Sequence, residues 1–175
     1  MESLRDKSDL KTLKQALTSL PSGDGAYIKA YDEAMKRIQN QPAGLRNLGI
    51  GALAWIVYAR RPLTTLELQH GLAVEVGRSE FDEDNITDID TIVSVCAGLV
   101  TVNKTSRIIR LVHHTIREYF QKAMGSWFYH HQSTIGHVCV AYLSYDIFSS
   151  GFCSDDHSFE SRLDQYPFYD YAARY

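Results

Sequence analysis

The chain has few of the residues that mark a secreted or membrane-bound protein. Only three of its 175 residues are cysteine, Cys96, Cys139 and Cys153, an odd set with no CxxC spacing. They read as reduced thiols of a cytosolic protein rather than a disulfide framework. No apolar run approaches the roughly 20 residues that a spanning helix requires. The opening MESLRDKSDLK lacks the apolar centre of a secretory signal. Nor is there an excess of either charge: a net charge of -3 and a pI near 6.1 give no whole-chain attraction for nucleic acid or an anionic membrane. Low-complexity tracts, heptad arrays and internal repeats are missing as well. What remains, at 45% hydrophobic residues, suits a globular core, with room for one domain or one domain plus a fragment.

The stretch from Leu99 to Phe120, LVTVNKTSRIIRLVHHTIREYF, carries the clearest pattern. Val100 and Val102 alternate with Leu99 and Thr101, and Ile109 and Leu111 alternate with Ile108, Arg110 and Val112. Asn103-Lys104-Thr105-Ser106 between them is a turn, so the two runs read as a β-hairpin. A lone hairpin is marginal, and its apolar face must rest on helices.

The rest of the chain supplies those helices. Leu10, Leu13, Leu17 and Leu20 predict a first helix capped by Ser8 and ended by Pro21-Ser22-Gly23-Asp24-Gly25. Tyr27, Ala30, Tyr31, Ala34 and Ile38 share the face of a second. From Pro42, Leu45, Leu48, Ala52, Leu53, Trp55 and Ile56 predict the most buried helix, which stops near Arg60-Arg61-Pro62. Thr64 and Glu67 form a capping box for a short helix with Leu66, Leu68 and Leu72 inside. After a loop from Glu75 to Asn85, Thr87 and Asp90 open a helix with Ile89, Ile92, Val93 and Cys96 in the core, ended by Gly98. Three helices followed by a ribbon is the order of a winged helix. Thr115 and Glu118 then cap a helix to about Ala123. Ser133 caps another with the stripe Ile135, Val138, Cys139, Tyr142 and Tyr145. Pro167 opens a last helix, PFYDYAARY, whose aromatics are left unpaired, so the chain reads as a piece of a longer protein. The expected fold is mainly α with a small β-hairpin: a winged helix flanked by helical segments.

A winged helix first raises DNA binding through its third helix. Here the approach to that helix and its first turn carry Glu80, Asp82, Glu83, Asp84, Asp88 and Asp90, which would repel phosphates. Lys104, Arg107 and Arg110 on the wing are an ordinary solvated face. The glycines at 44, 49 and 51 have no Lys-Ser/Thr after them and read as close helix packing rather than a phosphate loop. There is no GxSxG elbow. Cys139 and His137 would diverge on one helix, as would the neighbours in His113-His114 and His130-His131, so neither nucleophile nor metal ligand set is expected. His113 stands apart, because it lies where the second strand ends and a capped helix begins. It either bonds backbone groups at that junction or donates to an anion held by another domain.

Three segments, ALAWIVYARRPLTTLELQHGLAVEVG, DIDTIVSVCAGLVTV and IIRLVHHTIREYF, resemble the winged-helix module of fungal NACHT-type NTPases. These are NLR-like STAND signalling proteins that commonly end in ankyrin repeats, and the module is also catalogued as a GPI inositol-deacylase-type winged helix. The likeness divides the chain into residues 1–41, the end of a NACHT helical region; 42–123, the winged helix; and 124–175, the start of a helical region leading to repeats. It implies a non-catalytic, cytoplasmic regulatory module that closes over the nucleotide of an adjacent NACHT domain. VHHTIREYF is similar to the family's histidine motif and places the ADP phosphate contact at His113, with His114 where the usual acidic partner stands. The chain itself carries no cofactor in this reading, ADP or ATP belonging to the parent protein. Its partners are the NACHT domain, the downstream repeats and further copies by self-association, with neither nucleic acid nor membrane.

Overall fold

The computed structural model describes residues 24–122, 127–128 and 131–175. The helix expected over Leu10 to Leu20, with its cap Ser8, lies outside the described residues, as does Ala123. The described chain runs α1 (Asp24–Gln39), α2 (Ala43–Tyr58), β1 (Leu63–Thr64), α3 (Thr65–Ala73), α4 (Ile89–Val95), β2 (Val100–Val102), β3 (Ile108–Leu111), α5 (His114–Lys122), α6 (His131–Leu143), α7 (Asp156–Gln165) and α8 (Tyr169–Arg174). Single 3-10 turns lie at Glu83–Asn85 and Asp146–Phe148.

The helix α2 is the spine. Its mean hydropathy is the highest of the long helices, and Gly49, Ala52, Leu53, Ala54, Trp55, Ile56 and Val57 are all buried. A helix buried on most sides must let its neighbours approach closely. Gly49 makes this possible against α4: a Cβ there would sit 2.9 Å from the Val95 carbonyl oxygen and 3.4 Å from Ile38 Cγ2. Gly49 and, against Leu72 at 3.3 Å, Gly51 therefore pack helices as their pattern implied, whereas Gly44 is exposed with open space around it and does not. Gly49→Ala is expected to cost a net 1–2 kcal/mol or so, because backbone must shift by more than the helix-propensity gain returns. Urea unfolding would measure it, and an unchanged or raised midpoint would contradict the close approach.

The hairpin falls where the alternation put it. Asn103 Oδ1 accepts from the N–H groups of Thr105 and Ser106, and Arg107 takes a positive φ of 56° to close the turn. Val100 pairs with Leu111, Thr101 with Arg110 and Val102 with Ile109, all antiparallel. The sheet has a third strand that no alternation announced: β1 pairs with β3 through Leu63 with Ile109 and Thr64 with Ile108, giving the order β1-β3-β2. Two residues are too few to show a period. The result is a mainly helical fold with a small antiparallel sheet, consistent with a winged helix.

Several local expectations are corrected. Tyr27, Leu45 and Leu66 are 51%, 41% and 51% exposed and are not core. Met35 and Val95 take buried places instead. The cap of α4 is Asp88, which accepts from the Thr91 N–H, one residue after the predicted Thr87. The helix α6 begins at His131, so Ser133 is not its cap. The aromatics of the last helix are paired, not idle: Phe168 and Tyr171 lie edge-on to Trp55, at 5.5 and 6.0 Å between ring centroids. Through these rings α8, together with α6, packs on α2 and joins the same hydrophobic core.

Candidate functional site

The cleft that matters lies where β1, β3, the end of α2 and the start of α5 meet. The α2 helix ends before Arg60-Arg61-Pro62, because Pro62 can donate no backbone hydrogen bond and biases Arg61 away from helix. That stop places two arginines at one lip. The hairpin returns Arg110 to the facing lip, and the strand-to-helix junction adds His113, His114 and, one turn on, Arg117. The cavity is about 410 Å³, with an apolar floor of Ile56, Leu63, Ile109 and Leu111. No carboxylate among the described residues lines it.

Two of the four arginines are already engaged. Arg117 Nη1 donates to the Val57 carbonyl at 3.0 Å and Nη2 to that of Ile56 at 3.4 Å, covering carbonyls at the end of α2. Arg61 grips Glu67 through two hydrogen bonds of 2.9 and 2.7 Å. The Glu67 hydrogen bond, opposed by partial burial and aided by Asp170, raises the pKa of that guanidinium further above its ordinary range. The side chains of Arg60 and Arg110 have no hydrogen-bond or ion-pair partner among the described residues and remain available.

His113 is exposed and stands at the N-cap position of α5. Its Nδ1 accepts from the Thr115 N–H at 3.3 Å and lies 2.7 Å from Thr115 Oγ1. Thr115 Oγ1 is in turn 2.6 Å from the Tyr31 hydroxyl. An N–H cannot accept, so Nδ1 must carry the lone pair, and the neutral ring holds its proton on Nε2. The junction reading is the one the geometry carries: Nδ1 bonds the backbone there, and Nε2–H is left as a donor. Thr115 was expected to be the cap; instead it is a link in this relay, and its expected partner Glu118 plays no part in it. The ring lies parallel to Tyr27, 6.2 Å away and tilted 14°, and 4.3 Å from the His114 ring. The two histidines do not diverge as neighbours on a regular helix would, because His113 precedes the first helical residue.

Sequence reasoning singled out His113 but missed what surrounds it. Arg60 read only as a helix stop and Arg110 as a solvated wing residue, while Tyr27 and Tyr31 read as core. Their four-residue spacing, one helical turn, was the available signal that both could face one ring on a neighbouring element.

The other sequence candidates do not form sites. Cys139 is buried and its thiol is pushed up by burial, while His137 is exposed, so the pair cannot act together. Cys96 is driven to about 12 by the same cause. No group of three or more His, Cys, Asp or Glu among the described residues could hold a metal ion. No helix among them is long and apolar enough to cross a membrane. His130 lies outside the described residues.

A family model described as "GPI inositol-deacylase, winged helix domain" matches residues 37–129, just over half of the chain. No curated protein and no solved structure matches the chain.

Proposed function

From its membership in the GPI inositol-deacylase winged helix family, to which this chain belongs, we propose that it is a cytoplasmic regulatory module of an NLR-like NTPase. A winged helix domain is a non-catalytic module. In our reading this one docks its cleft over a nucleotide diphosphate held by an adjacent NACHT domain and favours the closed, inactive state. ADP or ATP is the parent protein's ligand, and repeats follow the module downstream. The observation that carries the reading is the relay through Tyr31 and Thr115, which orients His113 with Nε2–H beside a cleft lined by arginines and, among the described residues, by no carboxylate. A preoriented donor at a helix N-terminus beside free guanidiniums favours a phosphate over water at little reorganisation cost. Docking is then two-state: the closed form persists while the diphosphate contact is stronger than anything the open form makes.

The test uses pyrophosphate titrated into this chain at low salt, followed by the NMR signals of the imidazole rings. Pyrophosphate is expected to shift His113 and His114, and His113→Ala to weaken binding about tenfold, on the order of 1.4 kcal/mol. His113→Asn keeps a capping side chain and controls for helix loss. Ring signals that ignore pyrophosphate would remove the reading. The rival is DNA binding. It predicts that random duplex is retarded at low salt, whereas the carboxylates at Glu83, Asp84, Asp88 and Asp90 predict no retardation.

A further inference from the structure

One loop of the fold rests on a single ring. From Glu75 to Asn85 every residue is exposed except Phe81. Apart from the 3-10 turn at Glu83–Asn85 the segment has no regular structure, and it curls around a cavity of about 450 Å³ that its own residues line. Gly77, near its start, has a φ of +89°, with open space where a Cβ would stand. Among the described residues, one backbone–backbone hydrogen bond ties it to another element, from the Asp146 N–H to the Ser79 carbonyl at 2.8 Å.

Phe81 turns inward between α3 and α6. Its ring stacks on His70 at 5.0 Å, with 4° between the planes, and lies edge-on to Tyr142 and Tyr145 at 5.8 and 6.0 Å. His70 is half-buried, and its Nδ1 is fully buried with no hydrogen-bond partner among the described residues. A neutral ring tolerates this by carrying its proton on Nε2 and leaving a lone pair on Nδ1. An imidazolium has no such choice, since it must place an N–H at Nδ1, where nothing accepts it. The phenyl face attracts a cation, but that N–H lies in the imidazole plane and runs parallel to the phenyl. On the far side, α2 and α8 bring Trp55 and Phe168 against the neighbouring Gly71, and neither carries a charge. The phenols of Tyr142 and Tyr145 are pushed up by burial and stay neutral, and Glu75 acts on Tyr145 rather than on His70. Glu83 is the one carboxylate that favours the charged ring; burial outweighs it and holds the imidazole below its ordinary range.

We propose that residues 75–85 form a lid, latched by Phe81 on the neutral ring of His70, and that acidification opens it. With the lid raised, His70 faces water and regains its ordinary affinity for a proton, near pH 6.5. The open form then binds protons more tightly than the closed one. The closed form therefore keeps its full advantage above about pH 6.5 and loses it as the pH falls below that value. Gly77 supplies the backbone freedom of a hinge. Opening uncovers the ring faces of His70, Tyr142 and Tyr145, at the end of α3 that points away from the arginine cleft.

Amide hydrogen exchange of the full chain reads the lid at Asp146, whose N–H the Ser79 carbonyl holds. After correction for intrinsic rates, its protection is expected to fall between about pH 7.5 and 5.5 by up to roughly tenfold, the limit set by an open-form value near 6.5. Leu53 in the core should keep its protection over the same range. His70→Phe leaves a ring beneath Phe81 that cannot take a proton, so the fall should vanish. Phe81→Ala removes the latch: Asp146 should lose protection at both pH values, and His70, followed by its ring NMR signals, should titrate near 6.5, above its wild-type value. Constant protection of Asp146 in the wild type, an equal fall in His70→Phe, or a wild-type His70 that titrates no lower than in Phe81→Ala would overturn the inference. That last comparison decides even where His70→Phe fails to fold.

Discussion

Replacing Phe168 with alanine is expected to destabilise the whole chain by about 3–5 kcal/mol, although Phe168 lies far outside the residues that match the family. The ring is fully buried. It lies edge-on to Trp55 at 5.5 Å and to Tyr142 at 5.1 Å, and is stacked on Tyr171 at 5.6 Å. Gly71 provides its seat, since a Cβ there would be 3.3 Å from both Phe168 Cε2 and Trp55 Cζ2. Removing the ring opens a cavity bounded by α2, α3, α6 and α8 at once. Four elements with separate contacts elsewhere cannot all collapse into it, so the upper part of the range applies. Each aromatic pair lost adds about 0.5–1.5 kcal/mol beyond area burial, part of which is already within the cavity figure. The physical claim is that α8 belongs to the winged helix core and is not an appendage. Urea unfolding followed by both tryptophan fluorescence and far-ultraviolet dichroism should show a single transition moved to lower urea. A shift under 1 kcal/mol, or an early transition confined to a fraction of the helix signal, would mean that α8 merely rests on the surface.

That helix shows where sequence reasoning stops. The hairpin and the Thr64–Glu67 capping box were legible because each is closed by residues within a few positions of one another. Alternation selects a face of the strand, and a carboxylate three residues after a threonine reaches back to the cap. The pairing of Phe168 with Trp55 has no such local sign, and PFYDYAARY viewed alone is six apolar or aromatic residues without a partner. The cleft failed for the same reason. Arg60 and Arg110 are 50 positions apart and become neighbours only through β1, a two-residue strand too short to show a period. His113 was legible as a junction residue. That its Nδ1 would be held by a relay through Thr115 to Tyr31 on α1 was not, since it depends on how α1 packs against α5. Thr115 itself misled, because a threonine followed by Glu118 looks like a capping box whether or not the helix has already started one residue earlier.

Glu67→Ala carries the second large effect, an expected loss of about 2–3 kcal/mol, and the reason is the number of groups that one carboxylate satisfies. Oε2 accepts from the Thr64 N–H at 2.8 Å and from Arg61 Nη1 at 2.9 Å, while Oε1 accepts from Arg61 Nη2 at 2.7 Å. The side chain is only 8% exposed, so water cannot replace it freely. Loss of the capping contact costs about 0.5–2 kcal/mol. Hydrogen bonds to a charged partner add about 1.5–3 kcal/mol when buried. The sum is discounted because the Arg61 side chain is 30% exposed, can turn toward water, and keeps a longer contact of 3.3 Å to Asp170 and a place over the Tyr171 ring. Glu67→Gln retains the shape and one acceptor oxygen, and is expected to lose about half as much. Thr64 is at once the cap of α3 and part of β1, paired with Ile108. Disturbing it should therefore reach the sheet. Amide hydrogen exchange in Glu67→Ala is expected to quicken at Thr65, whose N–H donates to the Arg107 carbonyl, as well as in the first turn of α3. A variant that unfolds at the wild-type urea concentration, with exchange at Thr65 unchanged, would show that the capping box decorates the turn without holding the strand to the helix.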